Sequence, residues 1–580
     1  MSRIWPWICR QATTPRWPLW VALFLIVLTA PALFGRLIND DLTQRLILQG
    51  DPALADTFSS PFQMFDFADG DPERTQARME KGHLPWWTLP ELKYRFLRPV
   101  AVLTHVLDYR LWPESPWLMH LHSMLWAGAC ILVLGLLYRR LLPSALFAGL
   151  ALLLYAVDDS HAVPIASICN RNSLIGLFFG ILVLYGHDRW RREGAIAGVV
   201  GACGALVVGL LANEGTIAVG GYLLGYALFV DKARALKGFL AILPYGVLVL
   251  VWHRIYGLLG YGAYGSLSHT DPGAFPLTFL ANLPGYGASL FLGQWLTWPA
   301  ELFLVYPLWM QWAIVVVALG VGILVLRALL PHLRREPSLQ MFALGMMLAI
   351  VPAATTLPDD RSLLFIGLGA MPLMGVLILG RSRDGQEKVP TARWLLRTLV
   401  VCHLVLAPFL LPVRVASVDL VGGLINDAVH AMELDESHLE EQSLIVLNAP
   451  VMGIAPNISI IRLGEGQPAP SRVRDLGPNF PAEPLTIERR DLHTLVVTRP
   501  SGFPHLFFRG QPEFAYEVGD QVVLSDVTIT TEAITEGGLP QRVAYRFAVP
   551  LEDSTLQWIV FDGKGFVAYR PPGVGAVETL

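Results

Sequence analysis

The feature that most constrains this chain is the recurrence of apolar runs long enough to cross a hydrocarbon layer about 30 Å thick. They recur through the first seven-tenths, roughly, of its length. Backbone inside hydrocarbon finds no water to bond, so such runs are expected to fold as helices that satisfy their own N–H and C=O groups. Hydrophobic residues make up 53% of the 580, charged residues 16%, and the mean hydropathy is +0.49. An ordinary soluble globule is excluded, and a polytopic α-helical membrane protein is expected. The formal net charge of −4, with no long block of one sign, gives no electrostatic footprint for a nucleic acid.

Membrane helices are expected near residues 18–35, 117–137, 144–157, 164–187, 195–212, 215–230, 237–252, 307–330, 340–356, 362–380 and 393–411. The first has no small-residue cleavage site after it and reads as a retained helix. Basic residues cluster in alternate connections: Arg3, Arg10 and Arg16; Arg139 and Arg140; Arg189, Arg191 and Arg192; Lys232, Arg234 and Lys237; Arg327, Arg334 and Arg335; Arg381, Arg383 and Lys388. If the helices alternate, all these clusters share one side, which the positive-inside rule makes cytoplasmic. About eleven spans then put the N-terminus inside and the C-terminal region outside, in a bacterial cytoplasmic (inner) membrane. Residues 277–303 are apolar but carry Pro284 and several glycines, and read as an outward-facing interfacial or re-entrant piece. Cys9, Cys130, Cys169, Cys203 and Cys402 show no metal or redox spacing and read as small packing residues.

With this topology the outer connections collect the unusual residues. Asp40 and Asp41 follow directly on the first helix and open a long outer loop, residues 36–97. That loop holds Trp86 and Trp87 in "HLPWWTLPELKYRFLRPV", suited to the headgroup level. The segment "RPVAVLTHVLDYRLW" reads as an amphipathic surface helix interrupted by Arg98, His105, Asp108 and Arg110. The next outer connection supplies Asp158, Asp159, His161, Asn170 and Arg171; "LLANEGTIA" supplies Glu214; "TTLPDDRSLLF" supplies Asp359, Asp360 and Arg361. Arg171 sits inside its helix, where an ionised group costs roughly 2.5–3.5 kcal/mol unless it faces a cavity or partner. Glu214 has almost no loop to hold it in water. Arg171 and Glu214 are therefore expected to share one water-filled pocket.

These stretches resemble the polytopic C-type (GT-C fold) glycosyltransferases, and within them the protein O-mannosyltransferase-like branch that includes the transmembrane-and-tetratricopeptide proteins, here without the repeats. The likeness covers roughly residues 15–380 and rests on the order of short motifs. Arg98, Pro99, Leu107, Asp108, Tyr109 and His120 match, with Met119 where the family has tyrosine. His161 and Arg171 match the next stretch, while Asp158 and Val163 depart from its first His and its Glu. Glu214 matches a Lys-Glu-Ser motif whose Lys is Asn213 here; Asp360 and Arg361 are similar to a Glu-Arg-Tyr-Leu motif.

The resemblance implies transfer of a sugar from a polyprenyl-phosphate donor to a glycan, lipid or protein acceptor on the non-cytoplasmic side. The acid pair after the first helix corresponds to the family's catalytic acids, so Asp41 or Asp40 would take the acceptor's proton. Arg171, Arg361, Arg98 and His161 would hold the departing lipid phosphate, with Glu214 and Asp360 orienting the arginines. Paired carboxylates are compatible with a divalent cation, though no residue pattern requires one or any other cofactor. The alternative is a non-catalytic membrane scaffold, assembly factor or transport protein that keeps the fold.

After residue 412 short β-branched and aromatic runs, such as "DLHTLVVTRP" and "RVAYRFAVP", are divided by Pro, Gly and Asp. They predict an all-β, sandwich-like extracytoplasmic domain over 413–580, attached to a membrane domain over 1–412.

Overall fold

The computed structural model describes residues 10–38, 40–55, 58, 60–231, 235–380, 393–451, 453–504, 507–510 and 514–580. Arg3, Cys9, Lys232, Arg234, Arg381, Arg383 and Lys388 lie outside them. The chain divides into two units. The first is Met1–Arg36, Leu97–Leu259 and Asp271–Leu420; the second is Leu37–Phe96, Gly260–Thr270 and Val421–Leu580. The boundary expected at 412/413 instead falls inside a helix, and residues 37–96 group with the C-terminal region.

The longer helices, in chain order, begin with α1 (Trp17–Leu28), α2 (Asp40–Gln49), α3 (Pro72–Lys81), α4 (Pro99–Leu111) and α5 (Pro116–Leu141). Then come α6 (Ala145–Ala156), α7 (Arg171–Glu193), α8 (Ile196–Leu210), α9 (Val219–Gly225), α10 (Ala235–Leu258) and α11 (Pro276–Leu296). The last are α12 (Leu308–Leu333), α13 (Pro337–Ala353), α14 (Leu364–Leu379), α15 (Arg393–His430) and α16 (Ile454–Gly464). Helices α2, α3 and α16 belong to the second unit. Proline in the first turn starts α4, α5, α11 and α13, where its missing N–H costs no intrahelical bond. Gly194 and Gly380, both left-handed, end α7 and α14.

Every one of the eleven expected apolar segments is helical. Among the described residues six helices are long and apolar enough to cross a membrane, or seven if the pair Ala145–Ala156 and Asp159–Ala166, bent by 49°, counts as one span. Four further apolar helices are shorter. Helix α12 leaves Leu308, Trp309, Trp312, Val316 and Leu319 exposed, a face compatible with lipid.

Inside the first unit, α14 is buried along its length and takes side-chain bonds on its own carbonyls. Pro372 cannot donate to the carbonyl of Leu368, and the hydroxyl of Tyr138 donates there instead, at 2.7 Å. Tyr155 and Tyr222 donate likewise to Leu364 and Phe365 at 2.9 and 2.5 Å. Small residues bring the backbones together: a Cβ on Gly369 would meet the carbonyl of Phe342, and one on Gly225 the backbone of Met341.

The unit has two unlike polar ends. At one, Arg140 pairs with Asp188 and Glu193, Arg192 with Asp188, and Arg191 with Asp231, at 2.6–2.7 Å. Arg139 donates to the carbonyl of Thr14. These residues end or join α5, α7 and the segment after α9, so two of the basic clusters, 139–140 and 189–192, meet through shared acids. The opposite end gathers the starts of α4, α5 and α7, the 213–216 turn and residues 359–361.

Helix α11 begins and finishes at that second end. Tyr256 near the end of α10 donates to Glu214 at 3.5 Å, and Phe279 packs with Phe303 and Ala354. The last turn of α11 sends Gln294 to Asp158 at 2.8 Å, and Ser289 bonds the carbonyl of Ala300 as the chain returns. The non-glycine left-handed residue Thr297 makes the reversal.

The second unit holds three sheets. Strands β1 (Asp66–Asp69), β2 (Lys93–Arg95) and β3 (Gly262–Tyr264) form a small antiparallel sheet in that order. β4 (Ser443–Val446) and β5 (Arg472–Asp475) are parallel neighbours joined through α16, and β11 (Leu556–Phe561) and β12 (Phe566–Ala568) complete the order β12-β11-β4-β5. β6 (Thr486–Arg489), β7 (Thr494–Thr498), β8 (Gln521–Val523), β9 (Val527–Ile534), β10 (Pro540–Phe547) and β13 (Val577–Thr579) form an antiparallel sheet, order β13-β6-β7-β10-β9-β8. The expectation of an all-β domain is corrected here. "IAPNISIIRLG" places apolar residues at helical spacing, and its burial as α16 allows a parallel crossover. Trp86 and Trp87 do not lie at a surface. Both are under 6% exposed, in a core shared with Leu485, Val497 and Tyr545.

Candidate functional site

Each candidate residue follows from how its segment begins or ends a helix. Asp40 and Asp41 form the first turn of α2 in the second unit. Acids there are favoured by the exposed N–H groups and the helix dipole. Asp41 is fully buried and accepts from the N–H of Ile38 at 3.3 Å, whereas Asp40 is partly exposed. Of the pair, Asp40 is the carboxylate with access to solvent.

The remaining candidates lie in the first unit and form separate clusters. Arg171, expected to face a pocket with Glu214, is instead fully buried against Asp108 at 2.5 Å. Its guanidinium also donates to Ser123 Oγ at 2.9 Å and to the carbonyl of Met119 at 2.7 Å. Trp126 donates to His122 Nε2, which leaves Nδ1 to donate to Asp108 at 2.7 Å. Arg171 is thus neutralised by its own helix bundle. A guanidinium with no exposed surface and a carboxylate partner is not a ready phosphate ligand.

Glu214 binds Arg98, not Arg171: both Nε and one terminal nitrogen of Arg98 reach Oε2 at 2.9 Å. This pair is partly open, at 16% and 22% exposure. It ties the start of α4 to the turn between α8 and α9, beside Asn213, which bonds Ser173.

The third cluster centres on Arg414, which the sequence reading passed over. Arg414 meets Asp159 at 2.9 Å, Glu301 at 3.3 Å and, at closest range, Asp360. Asp360 also accepts from the N–H of Ala300 at 2.9 Å. Asp360 was expected, with Glu214, to orient the phosphate-binding arginines; it holds Arg414 instead, while its neighbour Arg361 contacts Asp359. The signal for Arg414 was present, a lone arginine in the apolar run "LLPVRVAS", but Pro412 made that run look finished. Helix α15 continues through Pro412 to His430.

Arg361 is 40% exposed; it contacts Asp359 at 3.4 Å and donates to Asn170 at 3.3 Å. His161 is buried, packed on the Tyr155 ring at 4.6 Å, with its Nε2 unbonded. The fold therefore brings 98, 158–171, 213–214, 300–301, 359–361 and 414 to one end of the first unit. Most of their charges are spent on one another, and Arg361 is the most exposed cation of the candidate set. Among the described residues no group of three or more His, Cys, Asp or Glu is arranged to hold a metal ion. The four described cysteines are free. No family model and no curated protein matches this chain.

Proposed function

We propose that this protein is an integral-membrane glycosyltransferase that moves a sugar from a polyprenyl-phosphate donor to an acceptor on the non-cytoplasmic side of a bacterial inner membrane. The observation that carries the reading is the gathering of acids and arginines from six distant segments at one end of the helical unit. Membrane helices keep such costly groups mainly where they serve binding or catalysis.

In this reading the acceptor hydroxyl gives its proton to a carboxylate, a role the resemblance assigns to Asp41 or Asp40, as its oxygen bonds the sugar's anomeric carbon. The bond from that carbon to the phosphate oxygen breaks, and the phosphate leaves with the electron pair. Arg361, with Arg98 held by Glu214, stabilises the charge that develops on it. Arg171 holds the bundle rather than the donor, and Asp360 with Asp159 anchors Arg414. The burial of Arg171 and the pairing of Glu214 and Asp360 favour a second reading, a scaffold that keeps the fold without the chemistry.

The test is transfer by the purified full chain, in nanodiscs, from radiolabelled polyprenyl-phosphate hexoses and pentoses to a membrane extract. Label should move to extract material with wild type and fail to do so with Asp41→Asn or Asp40→Asn, at unchanged expression and melting. Absence of transfer from every donor, or full activity in both variants, rejects the transferase and leaves the scaffold.

A further inference from the structure

One end of the helical unit carries more positive charge than its acids balance. Asp188, Glu193 and Asp231 are each held there by Arg140 or by an arginine of α7. Arg16, Lys237, Arg334, Arg393 and Arg397 are exposed at the same end, and among the described residues no acid pairs with them. The fold places all five. Arg139 donates to the carbonyl of Thr14, and Trp17 Nε1 to that of Gly149 at 2.9 Å, which fixes the start of α1 here. A Cβ on Gly238 would meet the carbonyl of Ala227, so α10 begins beside the segment that brings Asp231 to Arg191. Arg334 follows α12, and the next helix packs Phe342 against Tyr138, with ring centres 5.7 Å apart, next to Arg139. Helix α15 reaches the opposite end with Arg414, about 30 Å of helix after Arg393, while its buried Leu395 and Leu399 keep it alongside the bundle.

Two of these helices continue the charge into an apolar stripe. Arg16 is followed along one face of α1 by Trp20, Leu23 and Val27, which are 55%, 43% and 68% exposed. On α15, Arg397 lies one turn from the exposed Trp394, and Val401, Val405 and Phe409 carry on from it, also exposed. Each stripe presents a cation, an indole and then hydrocarbon, the order in which a phospholipid presents its phosphate, its ester layer and its acyl chain. We propose that this end of the helical unit binds anionic phospholipid, a phosphodiester headgroup with no cation of its own, at Arg16 and at Arg393 with Arg397. The choice follows from charge. A zwitterionic headgroup would bring an ammonium group among cations already in excess, whereas an anionic one supplies the charge they lack. Free phosphate or a soluble polyanion would leave the indole and the hydrocarbon below it uncovered. The proposal rests on the placement of this unit in a membrane and not on sugar transfer: a scaffold would recruit the same lipid.

The experiment releases the purified full chain from nanodiscs of equimolar dioleoylphosphatidylglycerol and dioleoylphosphatidylcholine and counts the retained lipids by native mass spectrometry. Wild type should retain the glycerol lipid about tenfold or more over the choline lipid. Arg16→Gln, and the pair Arg393→Gln with Arg397→Gln, should lower that preference by about fivefold for each arginine removed. Arg393→Lys with Arg397→Lys should keep it. All three positions are exposed, so the melting temperature should hold throughout. Inorganic phosphate and glycerol 3-phosphate, as separate arms at matched ionic strength, should displace no lipid. Three results each overturn the proposal: equal retention of the two lipids, a preference unchanged when all three arginines are glutamine, or displacement of the lipid by inorganic phosphate. Any of them leaves sugar transfer standing, whereas a chain that does not enter phosphatidylcholine nanodiscs overturns the membrane placement and this proposal together.

Discussion

Arg171 in the helical unit and Asp475 in the second bury a charge in two ways, although buried arginines are paired with acids in both units, as Arg474 is with Asp526 at 2.7 Å. In the helical unit several buried ions come in tight pairs: Arg171 with Asp108, Asp188 with Arg140 and Arg192, and Asp159 and Asp360 with Arg414. In the second unit, Asp475 on β5 is buried with the backbone N–H of Gly477 at 3.0 Å as the bonded donor to its Oδ1. Desolvation pushes that carboxyl up to about 7, and Asp66 up to about 6 in spite of Arg95. The difference teaches what each surrounding permits. A group at the edge of a β-domain can take up a proton from nearby water and relieve its burial. An arginine inside an apolar bundle keeps its charge at any relevant pH, so a carboxylate must come with it.

The comparison breaks most visibly at Asp108. Asp108→Asn strands the Arg171 guanidinium, and stability should fall by about 3–5 kcal/mol, read as a lower melting temperature in nanodiscs. The double variant Asp108→Leu with Arg171→Met should recover most of that loss, since it removes both charges together. If the single variant melts like wild type, Arg171 has another compensating partner and the pairing account of the helical unit fails.

Asp475 tests the other side. The folded protein keeps its proton up to about pH 7, whereas the unfolded chain releases it near 3.8. The favourable contribution is therefore complete below about pH 4 and disappears as pH rises through 7. Asp475→Asn should match wild type near pH 4 and exceed it above pH 8 by up to about 4 kcal/mol. His83 runs the opposite way: burial and Arg78 lower it to about 4, so its contribution is present above 6.5 and lost as pH falls through 4. Denaturant titrations of the Asp475→Asn chain and wild type across this range separate the two, and parallel curves would refute the Asp475 assignment.

The smallest effect belongs to the partly open pair. Glu214→Gln leaves a hydrogen bond to Arg98 and should cost about 1–2 kcal/mol, measurable as a modest melting shift. A loss as large as that of Asp108→Asn would mean that Arg98 is as desolvated as Arg171.

Much of the helical unit was legible because its signals are local. Apolar length, first-turn prolines and alternating basic clusters each act within one segment, so the eleven expected helices and the meeting of Arg140 with residues 188–193 follow from reading the chain in order. Partner choice was not legible. Arg171 and Glu214 looked complementary, yet Asp108 and Arg98 took them, because packing angles rather than sequence distance decide which side chains meet. Trp86 and Trp87 looked interfacial because a tryptophan pair carries the same composition in a headgroup layer and in a core.

By itself the sequence determined that these segments are helices, where their charged ends fall, and that a strand-rich region follows, since propensity and hydropathy are properties of short stretches. Only the tertiary structure decided that Arg414 is the centre of the acidic cluster and that residues 37–96 join the C-terminal unit. Those outcomes depend on which groups lose water together, and desolvation belongs to the packed assembly rather than to any one stretch of chain.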